Sequence, residues 1–199
     1  FLLRVDEGGE CLVLRGESVS IGNVRQTRAD LPVLANLAGR HASIRRSLSF
    51  HGGMQDVIVA EEGEVRVGDE SVSSRPLVSG DRVQLGSALG FVYSLPSARS
   101  LSAMVQLQGA FQVAGTDRIL LMKDRGKDGR LLLGPGRDCH VRVGSATAEV
   151  EIFAANTGQM RVACAAGGKI DGAPFRGEHP VDAGQIVEDG SLGDIFYDP

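Results

Sequence analysis

The sequence predicts an all-β protein that consists of two antiparallel β-sandwiches in tandem. Short apolar alternations are separated by turn residues, as expected for the strands of a half-buried sheet. The 199 residues include 27 glycines, which suit many tight turns. The chain is too long for one small sandwich and long enough for two of about 100 residues each.

The strands of the first half follow one another with glycine-rich or charged turns between them. The alternation is strict in 64–67 and in 81–85, and a glycine follows each of these two runs. This pattern is typical of strands with one buried face. The predicted strands of the first half are 1–5, 11–14, 18–21, 42–44, 56–59, 64–67, 81–85 and 90–95.

Several landmarks of the first half recur in the second half in the same order. Their offsets of roughly 100 to 110 residues predict an internal duplication of one domain. The corresponding segments are Ile21-Gly22 and Leu133-Gly134, Val67-Gly68-Asp69 and Ile170-Asp171-Gly172, Asp81-Arg82-Val83 and Gln185-Ile186-Val187, and Phe91-Val92-Tyr93 and Ile195-Phe196-Tyr197.

These observations predict a sandwich in residues 1–97, a linker in 98–102 and a second sandwich in 103–199. The linker prediction rests on a run of small and polar residues that follows Pro96. A short helix over 98–108 is the alternative, although its apolar positions do not hold a period of about 3.6 residues.

Composition and charge exclude several classes of function. The net charge of −4 and the pI near 5.6 do not suit nucleic-acid binding, which needs a basic surface. No apolar run approaches the roughly 18 residues of a membrane-spanning helix, and we expect no membrane insertion. The chain opens on Phe1 instead of Met and shows no secretory signal, so we expect a cytoplasmic protein or a fragment of a larger one.

The cysteine and histidine spacing predicts no metal site and no cofactor. Cys11, Cys139 and Cys164 are widely separated and form no CxxC pair, so we expect them to be small buried residues in a reducing compartment. The four histidines lack the spacing of a helical zinc site.

The first half resembles the forkhead-associated (FHA) domain family. The most specific part is 77–86, a Leu-x-x-Gly-Asp-x-Val-x-Leu-Gly pattern that precedes an aromatic strand and follows Arg-His-Ala-x-Ile at 40–44. The second half resembles the same family as a more degenerate repeat. The segments that carry the resemblance are 20–22, 29–33, 40–44, 65–69, 77–86 and 91–93.

The resemblance implies β-sandwiches of about eleven strands each, whose loops at one end bind phosphothreonine peptides. Members of the family hold the phosphate and the peptide with an Arg after the first Gly, a Ser and an Arg shortly before the His, and an Asn in a strand-end turn. Here Asn23, Ala38, Gly39 and Gly68 occupy these four places. The hydroxyl and the two Arg side chains would each contribute roughly 1.5–3 kcal/mol, so their loss predicts a degenerate phosphate site.

The second half departs further from the family pattern. Gly134-Pro135-Gly136 replaces the Gly-Arg pair, and Gly134 to Arg137 lacks the Lys-Ser/Thr of a phosphate loop. Asp171 occupies the Asn place, where its carboxylate would repel a phosphate. We expect the second sandwich to lack the phosphate function.

The basic residues around the first-half loops leave two interpretations open. They could form a displaced anion site, or they could be solvated surface charges. Two further arginines, Arg45 and Arg46, lie in the same part of the sequence. The candidate residues for peptide or anion binding are Asn23, Arg25, Arg28, Arg40, Ser43 and Gly68, and the resemblance implies that His41 is a structural brace of the loop.

The sequence therefore predicts a non-enzymatic protein–protein interaction module or scaffold in signalling. Its partner would be a protein or peptide, phosphorylated or not, or a second copy of the chain. The first alternative is a functional phosphopeptide-binding domain that uses Arg25, Arg28 and Arg40. The second is a divergent hydrolase or ligand-binding sandwich, for which Ser43 or Ser47 with His41 and Asp56 are the imaginable residues.

Overall fold

The computed structural model describes residues 1–26, 29–48, 54–124, 126–188 and 194–198. These residues form an all-β structure, as predicted, with one 3-10 helical turn at Gly126–Gly129 and no α-helix. No helix within these ranges is long and apolar enough to cross a membrane.

The chain folds into two compact units, each built from segments that are separated in the sequence. The N-unit comprises Leu14–Leu95 and Met104–Leu121. The C-unit comprises Phe1–Val13, Pro96–Ala103 and Met122–Pro199. The polypeptide passes between the two compact units after Val13, Leu95, Ala103 and Leu121. The predicted division into 1–97 and 103–199 remains a prediction about repeats along the sequence.

The N-unit contains two sheets. One has the strand order β4-β3-β5-β6-β9, and the other contains the order β13-β12-β11-β10-β7-β8. The strands are β3 (Ser18–Asn23), β4 (Leu31–Val33), β5 (Ala42–Leu48), β6 (Met54–Ala60), β7 (Val65–Val67), β8 (Glu70–Val72), β9 (Ser74–Pro76), β10 (Arg82–Leu85), β11 (Leu89–Ser94), β12 (Ala103–Leu107) and β13 (Arg118–Met122).

The C-unit strands follow the order β15-β14-β16-β17-β19-β20-β1-β2, and β18 pairs with β17. The long strand β17 pairs with β16 through its first part and with β19 through its last residues. The strands are β1 (Leu2–Val5), β2 (Gly9–Arg15), β14 (Leu131–Gly134), β15 (Val141–Arg142), β16 (Val150–Ala154), β17 (Met160–Ile170), β18 (Ala173–Pro180), β19 (Ile186–Glu188) and β20 (Asp194–Asp198).

The prediction of purely antiparallel sheets is wrong at two places. β3 pairs with β4 in parallel, with Ile21 opposite Leu31, and β14 pairs with β15 in parallel, with Leu133 opposite Val141. In both cases a loop joins the two strands in place of a tight hairpin, so the second strand can run in the same direction as the first. Residues 103–107 form strand β12 and not the alternative helix.

A buried polar network joins the two sheets of the N-unit. The Tyr93 hydroxyl donates to Asp56 Oδ2 at 2.8 Å, and Arg46 Nε donates to Asp56 Oδ1 at 3.1 Å. The Arg46 and Asp56 side chains are 2% and 0% exposed. Burial first, and then the Asp56 charge, raises the pKa of Tyr93 far above its ordinary value, so the hydroxyl stays protonated.

Apolar side chains surround this network and fill the C-unit. Cys11, Cys139 and Cys164 are buried and form no disulfide, in line with the predicted role of small core residues. The most buried large side chains of the N-unit include Ile21, Leu31, Ile44, Ile58, Leu85, Leu89 and Phe91, and those of the C-unit include Leu3, Leu131, Leu132, Leu133, Val150 and Val162.

The segment predicted as a linker is hydrogen-bonded inside the C-unit. The Ser102 side chain is buried and donates to the Gly129 carbonyl at 2.7 Å, and Leu101 N donates to Asp128 O at 2.6 Å. Small hydroxyl side chains satisfy backbone carbonyls at close range, which is why a polar segment can pack here.

Candidate functional site

Three loops of the N-unit approach one another around the end of β3. They are the β3–β4 loop (24–30), the β4–β5 loop (34–41) and the β6–β7 loop (61–64), and we call them together the loop site. The approach depends on Gly22, because a β-carbon there would lie 1.7 Å from the Gly39 carbonyl oxygen. Thr27 and Arg28 lie outside the described residues, so the candidate Arg28 has no structural account.

Asn23 ties the first two loops together. Its backbone N–H donates to Ala38 O at 3.0 Å, and its side-chain Nδ2 donates to Ala35 O at 2.7 Å. Its Oδ1 accepts from the backbone N–H of Arg25 at 2.8 Å. Asn23 therefore uses its side-chain amide within the loops.

His41 connects the β4–β5 loop to the β6–β7 loop through its buried imidazole, which is 5% exposed. Nδ1 accepts from the Ala38 backbone N–H at 3.3 Å, and Nε2 lies 2.9 Å from the Glu64 carbonyl oxygen. An acceptor at Nδ1 and a carbonyl at Nε2 together assign the proton to Nε2. Gly63 lies against the ring, since a β-carbon there would be 2.0 Å from His41 Cε1.

Glu61 of the loop site forms ion pairs with two arginine side chains. Arg45 Nη2 lies 2.6 Å from Glu61 Oε1, and Arg40 Nε lies 3.3 Å from Glu61 Oε2. Hydrogen bonds from Ser43 and Arg45 lower the pKa of Glu61, and the Arg40 charge adds to this effect. The positive charges of Arg40 and Arg45 therefore face a carboxylate that stays ionised.

The remaining candidates are placed differently. Ser43 is fully buried, and its Oγ accepts from Arg45 Nε at 2.8 Å. Arg25 is exposed, and its guanidinium forms no ion pair with a side chain that the structure describes. Gly68 follows β7, at the opposite end of that strand from Glu64, with φ of 60°.

The bonds around Ser43, His41 and Asp56 do not form a hydrolase triad. Ser43 bonds to Arg45, the His41 ring bonds to backbone groups of Ala38 and Glu64, and Asp56 bonds to Arg46 and Tyr93. A hydrolase triad needs a direct hydrogen bond between the nucleophile and its base. Here Ser43 and His41 bond to other groups instead of to each other. The Ser47 side chain lies outside what the structure describes.

Two exposed apolar residues of the loop site were missed by the sequence interpretation, and one of them, Val24, precedes Arg25 in the chain. Val24 and Leu34 are 48% and 64% exposed. They directly follow the parallel pair Asn23–Val33, and Val24 N donates to Val33 O at 3.2 Å. The sequence holds no signal for this pair, because only the parallel register of two short strands makes residues 24 and 34 neighbours.

The C-unit contains a cluster that could in principle hold a metal ion. One carboxylate oxygen each of Asp138 and Glu149 and the Cys139 sulfur lie within 4.8 Å of one another. However, Arg99 Nε donates to Asp138 Oδ2 at 2.9 Å, and Arg99 Nη1 donates to Glu149 Oε1 at 2.9 Å. Burial raises the pKa of Cys139 to about 11, so the thiol keeps its proton. A guanidinium already supplies the cation that these carboxylates attract.

No family model matches the chain, and no curated protein matches it. Among solved structures, the chain is similar to the Slr1951 protein from Synechocystis sp., with 19% sequence identity and a TM-score of 0.36 over 47% of this chain and 93% of that chain. It is also similar to the FHA domain of FhaA, solved in complex with the intracellular domain of Rv3910, with 24% identity and a TM-score of 0.32 over 44% of this chain and 92% of that chain. About half of the chain is thus similar in structure to an FHA domain.

Proposed function

We propose that this chain is a non-enzymatic protein-interaction module whose N-unit binds an unphosphorylated peptide segment of a protein partner at the loop site. The observation that carries the proposal is the exposed pair Val24 and Leu34, on loops that the hydrogen bonds of Asn23 and His41 fix. Exposed apolar side chains on a braced loop end are available to a partner's apolar side chain.

The charge distribution supports a partner without a phosphate. A phosphate dianion needs several free donors that converge on it. The side-chain amide of Asn23 already donates to Ala35 O, and Glu61 compensates Arg40 and Arg45. His41 acts in this proposal as the structural brace, since both ring nitrogens bond to loop backbone.

Paired peptide arrays, with each threonine peptide present in phosphorylated and unphosphorylated form, test this proposal. We expect binding that does not require the phosphate and that falls at least about tenfold in Leu34→Ser and in Val24→Ser, because loss of one apolar contact costs about 1.4 kcal/mol or more. Val78→Ser is the matched control, since Val78 is an equally exposed apolar residue of the N-unit, at 60%, outside the loop site.

The alternative is a functional phosphopeptide site built from Arg25, Arg28 and Arg40, and the exposed Arg25 favours it. Binding that requires the phosphate and disappears in Arg25→Ala would establish this alternative and overturn the proposal. Absence of peptide binding, together with a defined oligomer in sedimentation, would instead support the scaffold role.

A further inference from the structure

The first two strands of each predicted half belong to the unit formed by the other half. β1 and most of β2, at the start of the first half, lie in the C-unit with Met122–Pro199. Most of β12 and β13, at the start of the second half, lies in the N-unit with Leu14–Leu95. We call these two pairs of strands the donor hairpins.

The two donor hairpins pair with their acceptor strands in the same register. In the N-unit, Phe91, Val92 and Tyr93 of β11 lie opposite Leu107, Gln106 and Val105 of β12. In the C-unit, Ile195, Phe196 and Tyr197 of β20 lie opposite Val5, Arg4 and Leu3 of β1. The acceptor residues are the ones that the sequence aligns as repeats. The last strand of each half therefore pairs with the first strand of the other half, at equivalent positions.

The burial of the donor strands follows the same pattern. Val105 and Leu107 are buried in the N-unit, as Leu3 and Val5 are in the C-unit. Alternate buried residues on equivalent strands mean that both cores require a donor hairpin to be complete. Without it, the β11 edge and the β20 edge would expose unpaired backbone and apolar side chains.

We propose that the two halves of the chain are obligate partners that hold each other by reciprocal hairpin exchange. The β11 edge is the binding surface for 104–121, and the β20 edge is the binding surface for 1–13. Neither 1–97 nor 103–199 is a complete domain, although the sequence reads as two modules in tandem. A cut between the halves leaves the two pieces bound through both exchanged hairpins.

Cleavage of the folded full chain tests this proposal. A protease recognition sequence with flexible flanks is inserted between Ala98 and Arg99, which are both exposed, and the folded protein is cut there. We expect the two fragments to elute together at an unchanged volume and to separate only in denaturant. The same recognition sequence added after Pro199 is the control for the protease treatment. Fragments that separate in native buffer would overturn the proposal.

Engineered disulfides in the same cleavable chain exclude a simple contact between unexchanged modules. V92C/Q106C joins residues that lie opposite each other in the ladder, where the Cα atoms of an antiparallel pair are about 4.5–5.5 Å apart, within disulfide range. V92C/R4C is the matched pair, because Arg4 holds in β1 the register position that Gln106 holds in β12.

We expect V92C/Q106C to keep the cleaved fragments at full mass on a non-reducing gel and V92C/R4C to form no bond. A disulfide in V92C/R4C would show that β1 pairs with β11, and this result would contradict the exchange. A disulfide of V92C/Q106C that links two different chains would also contradict exchange within one chain. Mixed isotope-labelled and unlabelled protein distinguishes this last outcome by mass spectrometry.

Discussion

The two units differ at equivalent places in their strand order. In the N-unit, β6 ends at Ala60 and β7 begins at Val65, and residues 61–64 form a loop between the two sheets. In the C-unit, β17 runs without interruption from Met160 to Ile170. The strand pairing shows that these two places are equivalent. β6 pairs with β5 as the start of β17 pairs with β16. β7 pairs with β10 as the end of β17 pairs with β19.

An irregularity in β17 takes the place of the loop. The register between β17 and β18 shifts between Cys164 and Gly168, where residues 165–167 are Ala, Ala and Gly. The N-unit loop carries Glu61, Gly63 and Glu64, which bond to or lie against Arg45, Arg40 and His41. A loop therefore provides charge and a braced surface, whereas a bulge of small residues preserves the sheet and provides neither.

The largest expected effect lies in the core of the N-unit. Asp56→Ala removes the partner of buried Arg46 and of the Tyr93 hydroxyl, and we expect a loss of about 3–5 kcal/mol of unfolding free energy. Glu151→Ala is the control in the C-unit, since the pair of Arg130 and Glu151 is 23% and 22% exposed and we expect at most about 1 kcal/mol. Urea unfolding followed by circular dichroism measures both. Equal losses would contradict the network.

The next effect tests the brace of the loop site. Gly63→Ala places a methyl group against the His41 ring, and we expect a loss of about 1–3 kcal/mol and weaker binding at the loop site. Gly144→Ala in the C-unit is the control, because a β-carbon there would have no atom of a residue beyond its chain neighbours within 4 Å. If Gly63→Ala is as stable as Gly144→Ala, the close packing of His41 and Gly63 is wrong.

A smaller effect compares two equivalent turns. Gly68 N donates to Arg82 O at 2.8 Å and Asp171 N donates to Ile186 O at 2.9 Å, and both residues have positive φ. The Asp171 carboxylate also accepts from Ile186 N and from Gln185 Nε2, each at 2.9 Å. We expect Asp171→Ala to cost about 1–2 kcal/mol through these two bonds.

Gly68→Asp is the matched change in the N-unit. We expect it to cost less than about 1 kcal/mol: a residue with a side chain is strained at this positive φ, but the space around Gly68 is open and Asp171 shows that Asp adopts this conformation. Thermal unfolding of both variants measures the difference, and a larger cost for Gly68→Asp than for Asp171→Ala would reverse the comparison.

The smallest effect is a difference in acid sensitivity. Burial lowers the pKa of His140 in the C-unit below 6.5, so the unfolded chain takes up a proton first and stability falls as the pH drops below that value. The lowered pKa of Glu61 in the N-unit contributes stability above pH 4.5, and this stability is lost as the pH falls below 4.5 towards the pKa of the folded state. Each proton contributes a slope of at most about 1.4 kcal/mol per pH unit.

Hydrogen exchange at decreasing pH measures this order, and the C-unit should open before the N-unit. The stability gap between the native protein and His140→Asn should narrow below pH 6.5, and the gap for Glu61→Gln should narrow only below 4.5. The opposite order of opening would mean that other groups control the acid response.

The sequence determined many of the strands, although it did not predict β4, β8 or β9. The alternation in 64–67 and 81–85 corresponds to β7 and β10, and turn glycines with positive φ include Gly68 and Gly86. A period of two residues is a local property, so it can be identified without knowledge of the partners of a strand. The resemblance to a family motif, and not periodicity, is what singled out Asn23, Ala38 and Gly39 in the sequence.

Only the tertiary structure decided which strand pairs with which. The parallel pairing of β3 and β4 brings Val24 beside Leu34, and the burial of Ser43 removes it from the surface of the loop site. The first strands of the two donor hairpins, β1 and β12, both bury alternate residues, so this pattern is compatible with either acceptor strand. Long-range pairing depends on packing and chain connections, and these do not appear in a local pattern.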